Sequence, residues 1–180
     1  MASHIVLLRG INLGARRRIA MPELRGLLSG AGFESPRTYL QSGNVVLGGD
    51  ARPEQLAQEC EALIAERFGF DVAVIVRTRD ELAAVVAGNP LRDVATEPKR
   101  YQVSFLAHPL GPDVVDRISA LALASERFVA IGRELYAWHP EGVARSKLWN
   151  KLAGPGLGVT ATARNWTTVT NLLRMADADE

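Results

Sequence analysis

Residues 37–47 read Arg37-Thr38-Tyr39-Leu40-Gln41-Ser42-Gly43-Asn44-Val45-Val46-Leu47. Two short strand-like runs, Arg37–Gln41 and Val45–Leu47, flank Ser42-Gly43-Asn44, whose residue types suit a tight turn. A hairpin here decides the fold because of what stands on either side. Upstream, the β-branched and leucine-rich run Ser3–Arg9 stops at Gly10 and reads as a strand. Pro22 suits the first position of a helix, where its missing N–H costs nothing. Leu24, Leu27, Leu28 and Ala31 then recur at helical spacing until Gly32. Downstream, Pro53 opens a helix through Phe68, with Leu56, Cys60, Leu63, Ile64 and Phe68 as its apolar stripe. Val72–Val76 is a further strand. Strand–helix–strand–strand–helix–strand is the order of the split βαβ, or ferredoxin-like, unit.

The second half repeats this order more weakly. A capping box, Thr78 with Glu81, starts a short helix to Ala87 that Asn89-Pro90 stops. Residues 88–100 form a polar connector. Tyr101–Ala107 is a strand, and Gly111-Pro112-Asp113 starts a helix carrying Val114, Val115, Ile118 and Leu121. Arg127–Ile131 and Glu134–Trp138 are strands about Gly132-Arg133. Ser146–Leu152 is a short amphipathic piece inside a Gly- and Pro-rich stretch, residues 139–163. Thr162 reads as the cap of a final helix, residues 163–175, with no obvious last strand before it. The expected fold is therefore α+β: two ferredoxin-like halves with mostly antiparallel sheets and helices packed on them. They cover residues 1–88 and 89–180, packed as one compact unit.

A chain of 180 residues with 47% hydrophobic and 23% charged residues has ordinary globular composition. That excludes a disordered chain, a collagen-like chain and a disulfide scaffold. A single cysteine, Cys60, excludes an internal disulfide. Ile5–Leu8 is too short an apolar run for a signal-peptide core or a membrane span, so a cytoplasmic location without membrane attachment is expected.

The net charge of +1 hides an asymmetry along the chain. Residues 1–25 hold five arginines against Glu23 alone, residues 26–143 are net acidic, and residues 144–175 hold Arg145, Lys147, Lys151, Arg164 and Arg174 with no acid. If the fold brings the two basic segments together, they make one positive surface; otherwise they are two solvated faces.

In a split βαβ unit the first two strands point the same way, so their C-terminal ends lie at one sheet edge. The loop Arg9-Gly10-Ile11-Asn12-Leu13-Gly14, running on into Arg16, Arg17 and Arg18, should therefore face the turn Gln41-Ser42-Gly43-Asn44. The helix opening at Pro22 points its N-terminus at the same edge, which favours an anion.

Leu7–Gly14, Met21–Leu24, Thr38–Val46 and Thr162–Val169 together resemble the bacterial family catalogued as domain of unknown function 1697. The resemblance spans nearly the whole chain. It implies an intracellular α+β protein and no particular activity, substrate or catalytic residue. In one place the chain departs from the pattern expected of relatives: Ala15-Arg16-Arg17-Arg18 replaces a second glycine and lysines, which keeps the positive charge.

Gly10-x-x-x-Gly14 is neither a P-loop nor a dinucleotide fingerprint, since no Gly-Lys-Ser/Thr follows and the spacing differs. It is a loop with turn glycines, made interesting by its arginines. Ser-Gly-Asn is ordinary turn chemistry, and Ser42 lacks the strand–elbow–helix setting of a nucleophile. Trp166 shares a helical face with Val169 and Leu173, a core pattern, whereas Trp149 is equally suited to cover the core or to stack on a base. His4, His108 and His139 have no metal-ligand spacing, and no pair of carboxylates is brought together, so neither a metal nor a cofactor is expected.

The leading expectation is a binding module for an anionic ligand, a nucleic acid or a nucleotide-like phosphate. The residues assigned to it are Arg9, Asn12, Arg16, Arg17, Arg18, Gln41, Ser42 and Asn44, with Lys147 and Arg164. Two alternatives stand beside it: an enzyme acting on a small phosphorylated or carboxylated substrate, and an oligomeric scaffold. Sequence does not decide whether a reaction is catalysed or what the oligomeric state is.

Overall fold

The computed structural model describes residues 2–178. The chain divides into two compact units: one runs to Ala84 and takes in the stretch from Asn171, and the other is Val85–Thr170. The division thus falls inside a helix rather than in the polar connector after residue 88, and the C-terminal stretch belongs with the first unit.

The first unit contains β1 (Ser3–Leu8), α1 (Met21–Gly30), β2 (Glu34–Tyr39), β3 (Asn44–Gly48), α2 (Pro53–Phe68) and β4 (Val74–Thr78). Its sheet has the order β2-β3-β1-β4, and every neighbouring pair is antiparallel. Because β3 runs against both β1 and β2, those two strands point the same way and end at the same edge. Alternation sends Val6, Leu8, Val45, Leu47, Val74 and Val76 to one face. There they pack with Leu24 and Leu28 of α1 and with Leu56, Cys60 and Ile64 of α2. Fully burying one such side chain contributes about 1.5–3 kcal/mol. Gly69, at φ 78°, ends α2, and its N–H reaches the Ala65 carbonyl at 3.0 Å.

The opposite face of this sheet is buried too, with Ile5, Leu7, Val46 and Ile75 all inside. At its β2 side, Arg37 Nη2 donates to the Met175 carbonyl at 2.7 Å and Asn171 Nδ2 donates to the Tyr39 hydroxyl at 3.1 Å. The end of the last helix is thereby held against β2.

After β4 comes α3 (Arg79–Ala87), which starts with the expected capping box. The Thr78 N–H donates to Glu81 Oε2 at 2.8 Å and the Glu81 N–H donates to Thr78 Oγ1 at 3.1 Å. The second unit continues with β5 (Tyr101–Leu106), α4 (Pro112–Ser119), β6 (Arg127–Ile131), β7 (Glu134–Trp138), α5 (Lys147–Ala153) and β8 (Ala161–Asn165). Its sheet, β6-β7-β5-β8, repeats the order of the first. Leu106, Leu135, Ala137 and Ala161 form its core with Ile118, Leu148, Leu152 and Leu157.

β8 corrects the expectation of a helix beginning at residue 163. Ala161–Asn165 pairs with β5, and α6 (Trp166–Asp177) starts only after it. Asn165, rather than Thr162, serves the helix start: its Oδ1 accepts the Thr168 N–H at 2.9 Å. Alanine and asparagine have little strand preference of their own, so pairing with β5 decides this segment.

Candidate functional site

At the edge where β1 and β2 end, the chain after Leu8 makes a long excursion before α1. Two buried isoleucines, Ile11 and Ile19, anchor its ends, and residues 13–18 between them are exposed. Asn12 closes the loop. It sits in the left-handed region at φ 56°, a conformation asparagine tolerates better than most residues. Its Oδ1 accepts the Ile19 N–H at 2.9 Å, and its Nδ2 donates to the Ile19 carbonyl at 2.9 Å and to the Gln41 carbonyl at 2.7 Å. One side chain therefore ties both ends of the loop together and ties the loop to the β2–β3 turn.

The turn approaches just as closely from its own side. The Leu8 N–H donates to the Gly43 carbonyl at 2.9 Å. A Cβ on Gly43 would lie 2.6 Å from Leu8 Cβ, and φ there is +80°. Only glycine fits. Asn44 is wholly buried, and its Nδ2 donates to the Tyr39 carbonyl at 2.9 Å and to Ser42 Oγ at 3.0 Å. Its amide organises the turn from inside, a structural role in place of the ligand contact expected from sequence.

The arginines of the loop serve it first. Arg17 Nε donates to the Gly10 carbonyl at 3.2 Å and its Nη2 to the Asp71 carbonyl at 2.6 Å, while its guanidinium lies 5.4 Å from the centre of the Phe70 ring. Arg18 Nη1 donates to the Gly14 carbonyl at 3.0 Å. Each guanidinium has five N–H donors, so these bonds leave others facing solvent. Arg16, Arg17, Arg18, Gln41 and Ser42 are exposed, and Arg9 is half-buried.

Lys147 and Arg164 belong to the second unit. Lys147 is exposed in the first turn of α5. Arg164 lies inside β8, where its Nη1 donates to Thr162 Oγ1 at 2.7 Å and to the Ala163 carbonyl at 2.9 Å. Burial lowers its pKa to about 10, which leaves it charged at neutral pH. Burial and these bonds give Arg164 a place in the sheet rather than on a binding surface.

Sequence reasoning missed one buried polar cluster in the second unit. His139 Nδ1 and Ser146 Oγ both bond Glu126 Oε2, the serine at 2.6 Å, and Glu126 Oε1 accepts the Leu123 N–H at 2.9 Å. Ser146 Oγ in turn accepts the Trp149 N–H at 2.9 Å, capping α5. Burial opposes the charge on Glu126, but the Leu123 N–H, Ser146 and His139 outweigh it and hold its pKa below the ordinary value. Serine, histidine and a carboxylate are the residue types of a hydrolase triad, yet the geometry differs. The serine hydroxyl is directed at the carboxylate, His139 Nε2 is buried without a hydrogen-bond partner, and all three side chains are closed off from solvent. The cluster's evident work is to hold α5 and the 123–126 connection together.

Cys60 is also closed off: burial raises its thiol to about 12, which leaves little thiolate at neutral pH. Among the described residues, no group of three or more His, Cys, Asp and Glu side chains is placed to hold a metal ion, and no helix is long and apolar enough to cross a membrane.

The two halves define an α+β protein built from paired ferredoxin-like sheets. The family model described as "Protein of unknown function (DUF1697)" matches residues 1–136, and the chain belongs to that family. A solved structure, described as that of conserved bacterial protein SP0830 from Streptococcus pneumoniae, is similar over 97% of this chain and 98% of that one, with a TM-score of 0.75 and 23% identity. That likeness concerns the fold. No curated protein matches the chain.

Proposed function

We propose that the first unit is a binding module for an anionic ligand, a nucleic acid or a nucleotide-like phosphate. The ligand would be held at the edge made by the Arg9–Arg18 loop and the Leu40–Gly43 turn. One observation carries this reading: three consecutive exposed arginines stand on a loop whose two ends are locked by a single asparagine. A tied loop has already lost much of the conformational freedom that binding would otherwise cost. The arginines and amides offered there are neither proton donors nor nucleophiles at neutral pH, which favours binding over catalysis.

Phosphate contacts of this kind are sequence-tolerant and sensitive to salt. Affinity for a fluorescent DNA or RNA oligonucleotide, measured by anisotropy, should fall steeply as salt rises. Arg16→Ala and Arg18→Ala should each lower the slope of log affinity against log salt by about 1, with melting temperature little changed. If neither oligonucleotides nor nucleotides bind, or if binding ignores both salt and these substitutions, the reading fails.

A further inference from the structure

The same edge carries an apolar feature that a small phosphate would leave unused. Of the large hydrophobic side chains in the described residues, the two most exposed are Leu13, at 84%, and Leu40, at 60%. One stands on the arginine loop and the other on the β2–β3 turn. The residues beside them, Asn12 and Gln41, are joined by the 2.7 Å bond between the two segments. Leu40 is held at φ 56°, in the left-handed region that a leucine occupies only at a cost. An asparagine or glycine there would be easier to fold. Two exposed leucines, one of them strained, on two segments joined by a hydrogen bond, one of which carries three exposed arginines, give this edge an amphipathic character.

Resting on the binding function proposed above, we infer that its ligand is a nucleic acid whose bases are touched as well as its phosphates: the arginines lie along the backbone and Leu13 and Leu40 press against base faces or wedge into a step. Proteins that combine arginine with an inserted leucine or other apolar side chain bind nucleic acid in this way, relieving exposed apolar surface against partly unstacked bases. Arginine, planar and always charged, is also the cation best suited to phosphate backbones. A nucleotide or sugar phosphate offers the arginines the same charge but gives two leucines on separate segments little to cover.

The test compares wild type, the double variant Leu13→Ser/Leu40→Asn, and Arg16→Ala. The probes are a random-sequence DNA duplex, its single strand, ATP, and vesicles of mixed phosphatidylcholine and phosphatidylglycerol. Asparagine at position 40 accepts the left-handed backbone, so the double variant keeps its fold, and circular dichroism checks this. Losing the base contacts should weaken binding to at least one of the two DNA probes by about tenfold or more. The salt slope should stay unchanged, because the phosphate contacts remain. Arg16→Ala should do the reverse, reducing the slope.

DNA affinity that is indifferent to both leucine substitutions overturns this inference and leaves the anion-binding reading standing, as does binding of ATP without DNA. Leucine-dependent binding to the vesicles with none to DNA assigns this edge to a membrane surface and overturns it as well. Absence of binding to all four probes and to an RNA oligonucleotide sinks both proposals together.

Discussion

The two sheets end in the same way and differ in what is attached to the ends. In the first unit the Leu8 N–H donates to the Gly43 carbonyl and the Arg9 N–H to the Ala73 carbonyl. In the second, the Leu106 N–H donates to the Arg133 carbonyl and the Ala107 N–H to the Thr160 carbonyl. All four bonds are 2.9 Å long. On the first sheet, residues 9–20 then form the arginine loop, and Ile11 and Ile19 fill the space beneath it. On the second, residues 107–111 make the same connection and a two-residue turn closes the hairpin. What remains there is a cavity of about 300 Å³ lined by Pro109, Leu110, Val115, Ala130 and Leu135 among others. The second unit shows that the fold needs no basic loop. The loop is an addition to a scaffold that closes without it, which is where function is usually carried.

The units also differ in what ties down their added segments. In the first the tie is Asn12, an amide that does not titrate; in the second it is Glu126, a buried carboxylate that does. The largest expected effect therefore belongs to Glu126→Ala. It would leave the Leu123 N–H, the Ser146 hydroxyl and His139 Nδ1 buried without their acceptor, a loss of about 3 kcal/mol or more. All three tryptophans, Trp138, Trp149 and Trp166, lie in the second unit, so their fluorescence reports its unfolding selectively. Because the Glu126 pKa is lowered, its contribution is complete above the ordinary value of 4.5 and is lost as pH falls through the lowered value. Wild-type stability should therefore decline with acid in that window more steeply than that of the variant. Parallel acid profiles would show that the carboxylate is not the tie.

The turns offer a second comparison. Gly43 and Gly132 occupy corresponding hairpins, and both have positive φ, at +80° and +57°. A Cβ at Gly43 would collide with Leu8 Cβ at 2.6 Å, whereas at Gly132 the nearest neighbour is Glu134 Oε2 at 3.9 Å. Gly43→Ala should cost about 2–3 kcal/mol, from overpacking added to backbone strain. Gly132→Ala should cost only about 1 kcal/mol, from the strain alone. Urea denaturation of both variants measures the difference. Equal losses would mean that the first turn has room to move away from β1 and that loop and turn are not locked together.

What sequence could reveal follows the same division between scaffold and addition. The hairpin at residues 37–47, the helix Pro53–Phe68 and the capping box at Thr78 and Glu81 were legible because each depends on local chemistry: turn residues, a helical stripe, a reciprocal pair of bonds. The facing of the Arg9–Arg18 loop and the Gln41–Asn44 turn followed from strand order alone, although the turn itself occupies residues 40–43 and Asn44 already belongs to β3. β8 was not legible, because Ala161-Thr162-Ala163-Arg164-Asn165 becomes a strand through its pairing with β5. Nor was the burial of Asn44, read as part of an exposed turn, or of Arg164, read as part of a helix start; in both cases the strand that encloses the side chain is set by pairing. Glu126, His139 and Ser146 lie 13 and 20 residues apart along the chain and form no spaced motif. The only local sign was a serine three residues before Trp149, where a helix cap belongs.

The smallest predicted effect sharpens the contrast in titration. The first unit's tie is neutral, but the unit does bury a histidine in its sheet, His4 on β1. Burial lowers its pKa below the ordinary 6.5, against the opposing influence of the Ala2 and Ala51 backbone and of Glu81 and Asp50. The unfolded chain takes up a proton near the ordinary value while the folded chain still resists it, so protonation favours unfolding. Stability from this source is complete above 6.5 and diminishes as pH falls below it, until the lowered folded value is reached. Acid should thus act on the two units in separate windows, on the first through His4 just below neutrality and on the second through Glu126 below the ordinary carboxylate value. Hydrogen exchange at the Val6 and Val45 amides, corrected for intrinsic rates, follows the first unit, and tryptophan fluorescence follows the second. In His4→Gln the upper window should flatten while the lower one stays in place. A wild-type first unit that grows more stable as pH drops through 6.5 would mean that the imidazole gains a partner on protonation, and the assignment of its buried, neutral role would be wrong.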